Sequence, residues 1–281
     1  MATTEHDQRR ELYAELSPEL KELVAVRQVV SYRGDEVFTT EDYLISEVPI
    51  TLEVNGKEFV TLLCTPLMLE ELVVGFLFTE SLIKKKSDLV SFEADLEKQR
   101  VKVELAGKNL LAEKLYGKRT ITTGCGRGTI FYHVADSLGT AKNESQVRVS
   151  ADRISELMRV WQETKGLFLL TGGVHAAAIG DAEGKLLVLA EDIGRHNAVD
   201  KVLGRAVLEE WDLSDKIIMT SGRISSEMLI KAAKARLPIV VSRSAPSELA
   251  LAIADELGVT VAGFARGRRL NVYTATWRIT A

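Results

Sequence analysis

The chain has 281 residues, 46% hydrophobic and 27% charged, with a formal net charge of −4. That suits one large domain or two modest ones and excludes a general polyanion binder. No apolar run reaches the ~18 residues of a spanning helix, and the opening MATTEHDQRRELYAEL is too charged for a signal peptide. Two cysteines, Cys64 and Cys125, exclude a disulfide framework and point to a reducing, cytoplasmic setting.

In chain order, residues 1 to 24 read as a charged tail, helical or frayed. Residues 28 to 63 alternate as strands, with Asn55-Gly56 marking a hairpin turn. Thr65 and Pro66 then supply an N-cap and first-turn proline for a helix, along which Leu69, Leu72, Val73, Phe76 and Leu77 recur at helical spacing. RVKVEL, 100 to 105, alternates as another strand. A polar, glycine-rich stretch from 118 to 129 marks the expected junction between a β-rich α+β domain at 24–117 and an α/β domain at 118–281.

Beyond it, Ser150 caps a helix striped by Ile154, Leu157, Met158 and Trp161. LFLLTGG, HAAAIG and KLLVLAED read as short antiparallel strands. From 195 the pattern changes to helix and strand in alternation: NAVDKVLGRAVLEE then KIIMT, ISSEMLIKAAKAR then PIVVS, SELALAIADELG then VTVAG. Continuously apolar strands separated by single helices predict a parallel sheet covered on both faces.

The loops after those strands share a chemistry. SGRISSE carries Ser221 and Arg223, RSAPSE follows Ser242 with Arg243, and FARGRR carries Arg266. Ligands of open α/β sheets gather outside the carboxyl ends of strands, near helix N-termini. Guanidinium forks and hydroxyls added there suit phosphate or pyrophosphate. Each loop alone reads equally well as capping serines and solvated arginines; three in succession favour an anionic, nucleotide-like ligand. EDIGRHNAVDKV, 191 to 202, crowds Asp192, Arg195, His196, Asn197 and Asp200 at a strand end and helix start. Asp192 or Asn197 would cap that helix, and Arg195 would pair with Asp192. His175 and His196 both fall beside strand ends, where a satisfied core histidine is the plainer reading of each.

The second cysteine is placed differently from the first. Cys64 ends an apolar strand and reads as core, whereas Cys125 sits in TTGCGRGT among Gly124, Gly126 and Gly128. Those glycines remove side-chain cover, which predicts an accessible thiol.

Taken as a set, CTPLMLEELVVGFLFTE, TTGCGRGT, TGGVHAAA, EDIGRHNAVDKV, TSGRISSEM, SRSAPSELA and GFARGRRLNVYT resemble the formate dehydrogenase accessory sulfurtransferases. The resemblance implies a cytidine-deaminase-like C-terminal α/β domain with a mixed sheet, and a homodimer. It also implies a sulfur carrier that accepts persulfide sulfur from a cysteine desulfurase. The recipient would be the molybdenum (or tungsten) cofactor in its bis-guanine-dinucleotide form, a bound client needed by formate dehydrogenase. Cys125 would carry the sulfur, and Phe264, Ala265, Arg266, Gly267, Arg268 and Arg269 would contact the cofactor. The arginine loops add Ser221, Arg223 and Arg243 to that site, with His196 beside them and Asp192 as a further assistant.

One departure stands out. Many relatives pair two cysteines as C-x-x-C; aligned on the CG start, Cys125 is first and Gly128 second, and in the other register Thr122 is first. Either way a second thiol is missing, yet persulfide transfer needs only one nucleophile. Three other classes fit less well. A zinc deaminase lacks its glutamate at HAAA and its P-C-x-x-C. A noncatalytic cofactor chaperone would use the same loops with Cys125 incidental. Nucleic-acid binding through FARGRR is opposed by the acidic balance and the lack of interleaved aromatics. No resident metal is expected.

Overall fold

The computed structural model describes residues 5–106, 120–121, 141–164 and 166–281. The TTGCGRGT segment, with Cys125 and Arg127, lies outside them, as does His133. No helix among the described residues is long and apolar enough to cross a membrane.

The opening segment is helical and tied down. Helices α1 (Glu5–Glu15) and α2 (Pro18–Glu22) precede a two-stranded ribbon, β1 (Val24–Arg33) and β2 (Glu36–Ile45), which pairs with no other strand among the described residues. Leu12, Tyr13 and Leu16 pack with Val24 and Tyr43 at the ribbon's base, against Leu167, Leu170 and Val174. Arg9 fixes the arrangement by donating to the Leu170 carbonyl and pairing with Asp42.

A five-stranded sheet follows, in the order β5 (Leu89–Asp95), β6 (Arg100–Leu105), β3 (Val48–Val54), β4 (Lys57–Cys64), β7 (Thr120–Ile121). Asn55 and Gly56 make the β3–β4 turn with φ of 50° and 74°, the left-handed pair that an Asn-Gly hairpin provides. Helix α3 (Leu69–Thr79) covers this sheet with Leu72, Val73, Phe76 and Leu77. Thr65 does not cap it. The helix begins after Met68, and Thr65 faces the other way: its Oγ1 accepts the Ile193 N–H at 3.2 Å. The chain between strand and helix is recruited by a distant loop, which outweighs the local capping pattern.

A short β8 (Val149–Ser150) pairs in parallel with Ile279–Thr280, and the larger sheet runs β10 (Leu186–Asp192), β9 (His175–Gly180), β11 (Ile217–Thr220), β12 (Ile239–Ser242), β13 (Thr260–Arg266), β14 (Arg269–Val272). Its three central strands, β11 to β13, are parallel and the outer pairings antiparallel, so the sheet is mixed. Period-2 alternation splits the strands between two cores. Ile218, Val240 and Val261 face α6 (Arg195–Leu208), α7 (Ser226–Lys234) and α8 (Glu248–Leu257), while Met219, Val241 and Ala262 face α4 (Ala151–Glu163). Ser150 caps α4 as expected, accepting the Arg153 N–H. LFLLTGG is not a strand. Leu167–Thr171 forms a short helix, α5, because the Glu191 carboxylate accepts the Leu167 and Phe168 N–H groups at 2.8 and 2.9 Å and Gly172 ends the turn at φ 64°. Leu167 and Leu170, three apart, share its buried face.

The two sheets meet through α3 and α6, which touch backbone to backbone. A Cβ on Gly75 would lie 1.8 Å from the Asp200 carbonyl oxygen, and one on Gly204 would lie 1.8 Å from that of Glu71. Only glycine permits this approach.

Candidate functional site

A cleft of about 350 Å³ opens where the carboxyl ends of β11, β12 and β13 meet the start of β9. Ser221, Arg243 and Arg266, one from each of the three loops, line it together with His175, Ile193 and the Gly172–Val174 turn. Three other serines of these segments are structural: Ser225 and Ser247 cap α7 and α8, and Ser242 donates to the Gly222 carbonyl at 2.6 Å. Ser221 is the exception. Its Oγ accepts the Ala176 N–H at 3.0 Å and lies 3.3 Å from His175 Nδ1. Arg266 Nε donates to the Arg243 carbonyl at 3.3 Å, which ties the two arginine loops to each other.

One wall of the cleft is held by a buried polar network. Lys201 and Asp192 are both fully enclosed and pair at 2.7 Å. The Lys201 ammonium also donates to the carbonyls of Thr65 and Glu191, at 3.0 and 2.9 Å. Asp192 accepts the N–H groups of Thr65 and Gly194 and the amide of Asn197, which in turn donates to the Leu63 carbonyl. Every polar atom of the pair therefore has partners, the condition under which a buried ion pair is tolerated. The network fixes β4's exit and the first turn of α6, and with them Ile193 and Arg195. Arg195 does not pair with Asp192. Its stem runs over Gly222, 3.1 Å from where a Cβ would stand, and its Nε is buried without a hydrogen-bond partner among the described residues.

His196 is not among the residues that line the cleft. Its Nε2 lies 3.2 Å from Glu227 Oε2 without hydrogen-bond alignment. Burial, then the cations Lys231 and Arg195, push its pKa down to about 3, so it is neutral. Asp200 is spent on a second pinned cluster, 2.6 Å from the Lys231 ammonium and accepting the Thr79 hydroxyl.

The C-terminal segment divides. Phe264 is exposed at φ 54°, an unusual backbone state for a bulky residue, and its N–H donates to the Ser244 carbonyl beside the cleft. Ala265 is buried in the α4-side core. Gly267 makes the β13–β14 turn at φ 56°, Arg268 extends outward to Asp152 at 3.1 Å, and Arg269 pairs in register with Arg266. Arg223 is exposed outside the cleft lining. Cys64 is fully buried, and desolvation together with the nearby Asp192 charge pushes its pKa up to about 12. Sequence reading missed Lys201, whose charge inside an apolar helical run was the available signal, and gave Arg195 the wrong neighbour.

Comparison with known proteins gives a consistent result. A family model described as the FdhD/NarQ family matches residues 45–280. The sulfur carrier protein FdhD of Bacillus subtilis is 46% identical over 258 residues, 92% of this chain and 98% of that protein. Its namesake in Bacillus pumilus is 43% identical over 266 residues, 94% and 100% of the two chains. A crystal structure from Desulfotalea psychrophila, described as a formate dehydrogenase accessory protein, superposes with a TM-score of 0.75 at 28% identity, covering 92% of this chain and all of that one. With a motif set spanning both sheets and relatives aligned nearly end to end, this chain belongs to the FdhD/NarQ family.

Proposed function

We propose that this protein is a sulfurtransferase that carries sulfur on Cys125 from a cysteine desulfurase to the molybdenum bis-guanine-dinucleotide cofactor destined for formate dehydrogenase. The observation that carries the reading is the cleft of Ser221, Arg243, Arg266 and His175 at the carboxyl ends of the parallel strands. Two guanidiniums and a hydroxyl, with Arg195 nearby and its Nε unpartnered among the described residues, match the phosphates of a dinucleotide cargo. Phe264, held exposed beside the cleft by an unusual backbone, offers an aromatic face to a base.

The chemistry needs one thiolate. The Cys125 sulfur attacks the terminal sulfur of the donor's persulfide, a new S–S bond forms, and the desulfurase cysteine leaves as thiolate. A cationic neighbour such as Arg127 favours the reactive form. The cleft's part is to hold the cargo's anions while the persulfide sulfur is passed on.

The cleft is tested by binding of GDP, followed by calorimetry. Arg243→Ala and Arg266→Ala are each expected to weaken it by about tenfold or more, as loss of a charge-assisted hydrogen bond implies. Unchanged affinity in both variants would place the phosphates elsewhere.

We further propose a homodimer built on the outer half of the β1–β2 ribbon. Val30, Tyr32 and Val37 share one face there, 59%, 76% and 59% exposed. A lone two-stranded ribbon is marginal in water. A transient client would leave it bare most of the time, so the occupant that suits it is the chain's own copy. Light scattering is expected to give twice the chain mass, falling to a monomer in Val30→Lys/Tyr32→Lys; a wild-type monomer contradicts this.

A further inference from the structure

The pocket histidine is built differently from its neighbour. His175 lines the cleft, with Nδ1 held 3.3 Å from Ser221 Oγ, which leaves Nε2 as the ring nitrogen available to a ligand. The Ser221 hydroxyl already accepts the Ala176 N–H, so its own proton is free to point at Nδ1. A hydroxyl donates to a neutral ring nitrogen and, after rotating, accepts from a protonated one. The tether therefore survives a change in the charge of the imidazole. His196 has no such arrangement and stays neutral, buried against Glu227.

We propose that His175 takes up a proton from solvent as a phosphate-bearing ligand enters the cleft, so that a third cation joins Arg243 and Arg266. The inference rests on the reading of the cleft as a phosphate site and adds the protonation that accompanies its filling. No covalent bond changes: one solvent proton binds the ring, and Nε2–H donates to a phosphate oxygen.

The charges around His175 set the sign. Burial, and next the Arg195 guanidinium from α6, hold its pKa below the usual imidazole value, while Asp192 at the end of β10 acts the other way. Arg243 and Arg266 line the same cleft, and neutral His196 lies on α6. In the free protein the ring is consequently neutral near pH 7. A pyrophosphate placed among these groups offsets the three arginines and favours the imidazolium. A pKa raised on binding makes affinity increase as pH falls through the bound-state value and level off below the free-state value.

The test uses GDP-mannose, a guanosine pyrophosphate diester whose phosphates do not titrate near neutrality. Calorimetry near neutral pH, in PIPES and in Tris, whose ionisation heats differ widely, reads proton exchange from the difference in heat. The wild-type protein is expected to take up a sizeable fraction of one proton, about half. His175→Gln is expected to bind about tenfold more weakly and to take up none. Independently of any variant's folding, the His175 ring resonance should titrate at higher pH with GDP-mannose than without. Binding with no proton uptake, uptake that persists in His175→Gln, or an unmoved titration would overturn the inference while leaving the cleft's function standing. Failure of GDP-mannose and GDP to bind at all would overturn both.

Discussion

Lys201→Met is expected to cost about 3–5 kcal/mol of folding stability, a large part of what a domain has. The methionine fills much of the same space, so the loss is electrostatic. Asp192 remains fully buried with its charge uncompensated, and the carbonyls of Thr65 and Glu191 each lose the Lys201 donor. Neutralising the carboxylate as well, in Asp192→Asn/Lys201→Met, should recover part of the loss, because the amide oxygen still accepts N–H groups while no bare charge stays inside. Urea unfolding of the three variants measures this. A loss below about 1 kcal/mol in Lys201→Met, the level of an exposed pair, would mean the network is wet and not a strut. The same substitution should also weaken GDP binding in the fraction that folds, since the network holds the turn before α6, where Ile193 lines the cleft.

The second large effect concerns the two cysteines. Cys125→Ser is expected to leave a co-produced formate dehydrogenase at the activity it has with no carrier, whereas Cys64→Ala should keep most of the wild-type activation. The difference follows from ionisation. A thiol pushed up to about 12 is thiolate in only about one molecule in 10⁵ at neutral pH, and Cys64 is also sealed from any protein donor. Cys125 stands between two glycines in the sequence, two residues before Arg127. Full activation by Cys125→Ser would leave a cofactor chaperone as the better description.

Much of this was legible before any coordinates. Asn55-Gly56 requires two left-handed residues in succession, and few residue pairs supply them. The α4 stripe and the Ser150 cap are local and strong. The three loops after β11, β12 and β13 were readable because strand, turn and helix repeat there, and Ser221, Arg243 and Arg266 do converge on one cleft. Tertiary partners decided the rest. LFLLT contains too few residues for periodicity to separate helix from strand, and Glu191, twenty-odd residues away, supplies its cap. Thr65 follows a capping pattern yet serves the loop after β10. Arg195 and Asp192 are close in sequence, but Lys201, one buried helical face away, takes the carboxylate first. No local pattern announces such a long-range choice.

The central claim is that sulfur rides on one thiol, and peptide mass analysis after incubation with a cysteine desulfurase and cysteine tests it most directly. The expected result is a gain of one sulfur atom on the peptide containing Cys125, removed by a thiol reductant and absent from the Cys64 peptide. A Cys125 peptide that stays unmodified while the same mixture still activates formate dehydrogenase would contradict the account.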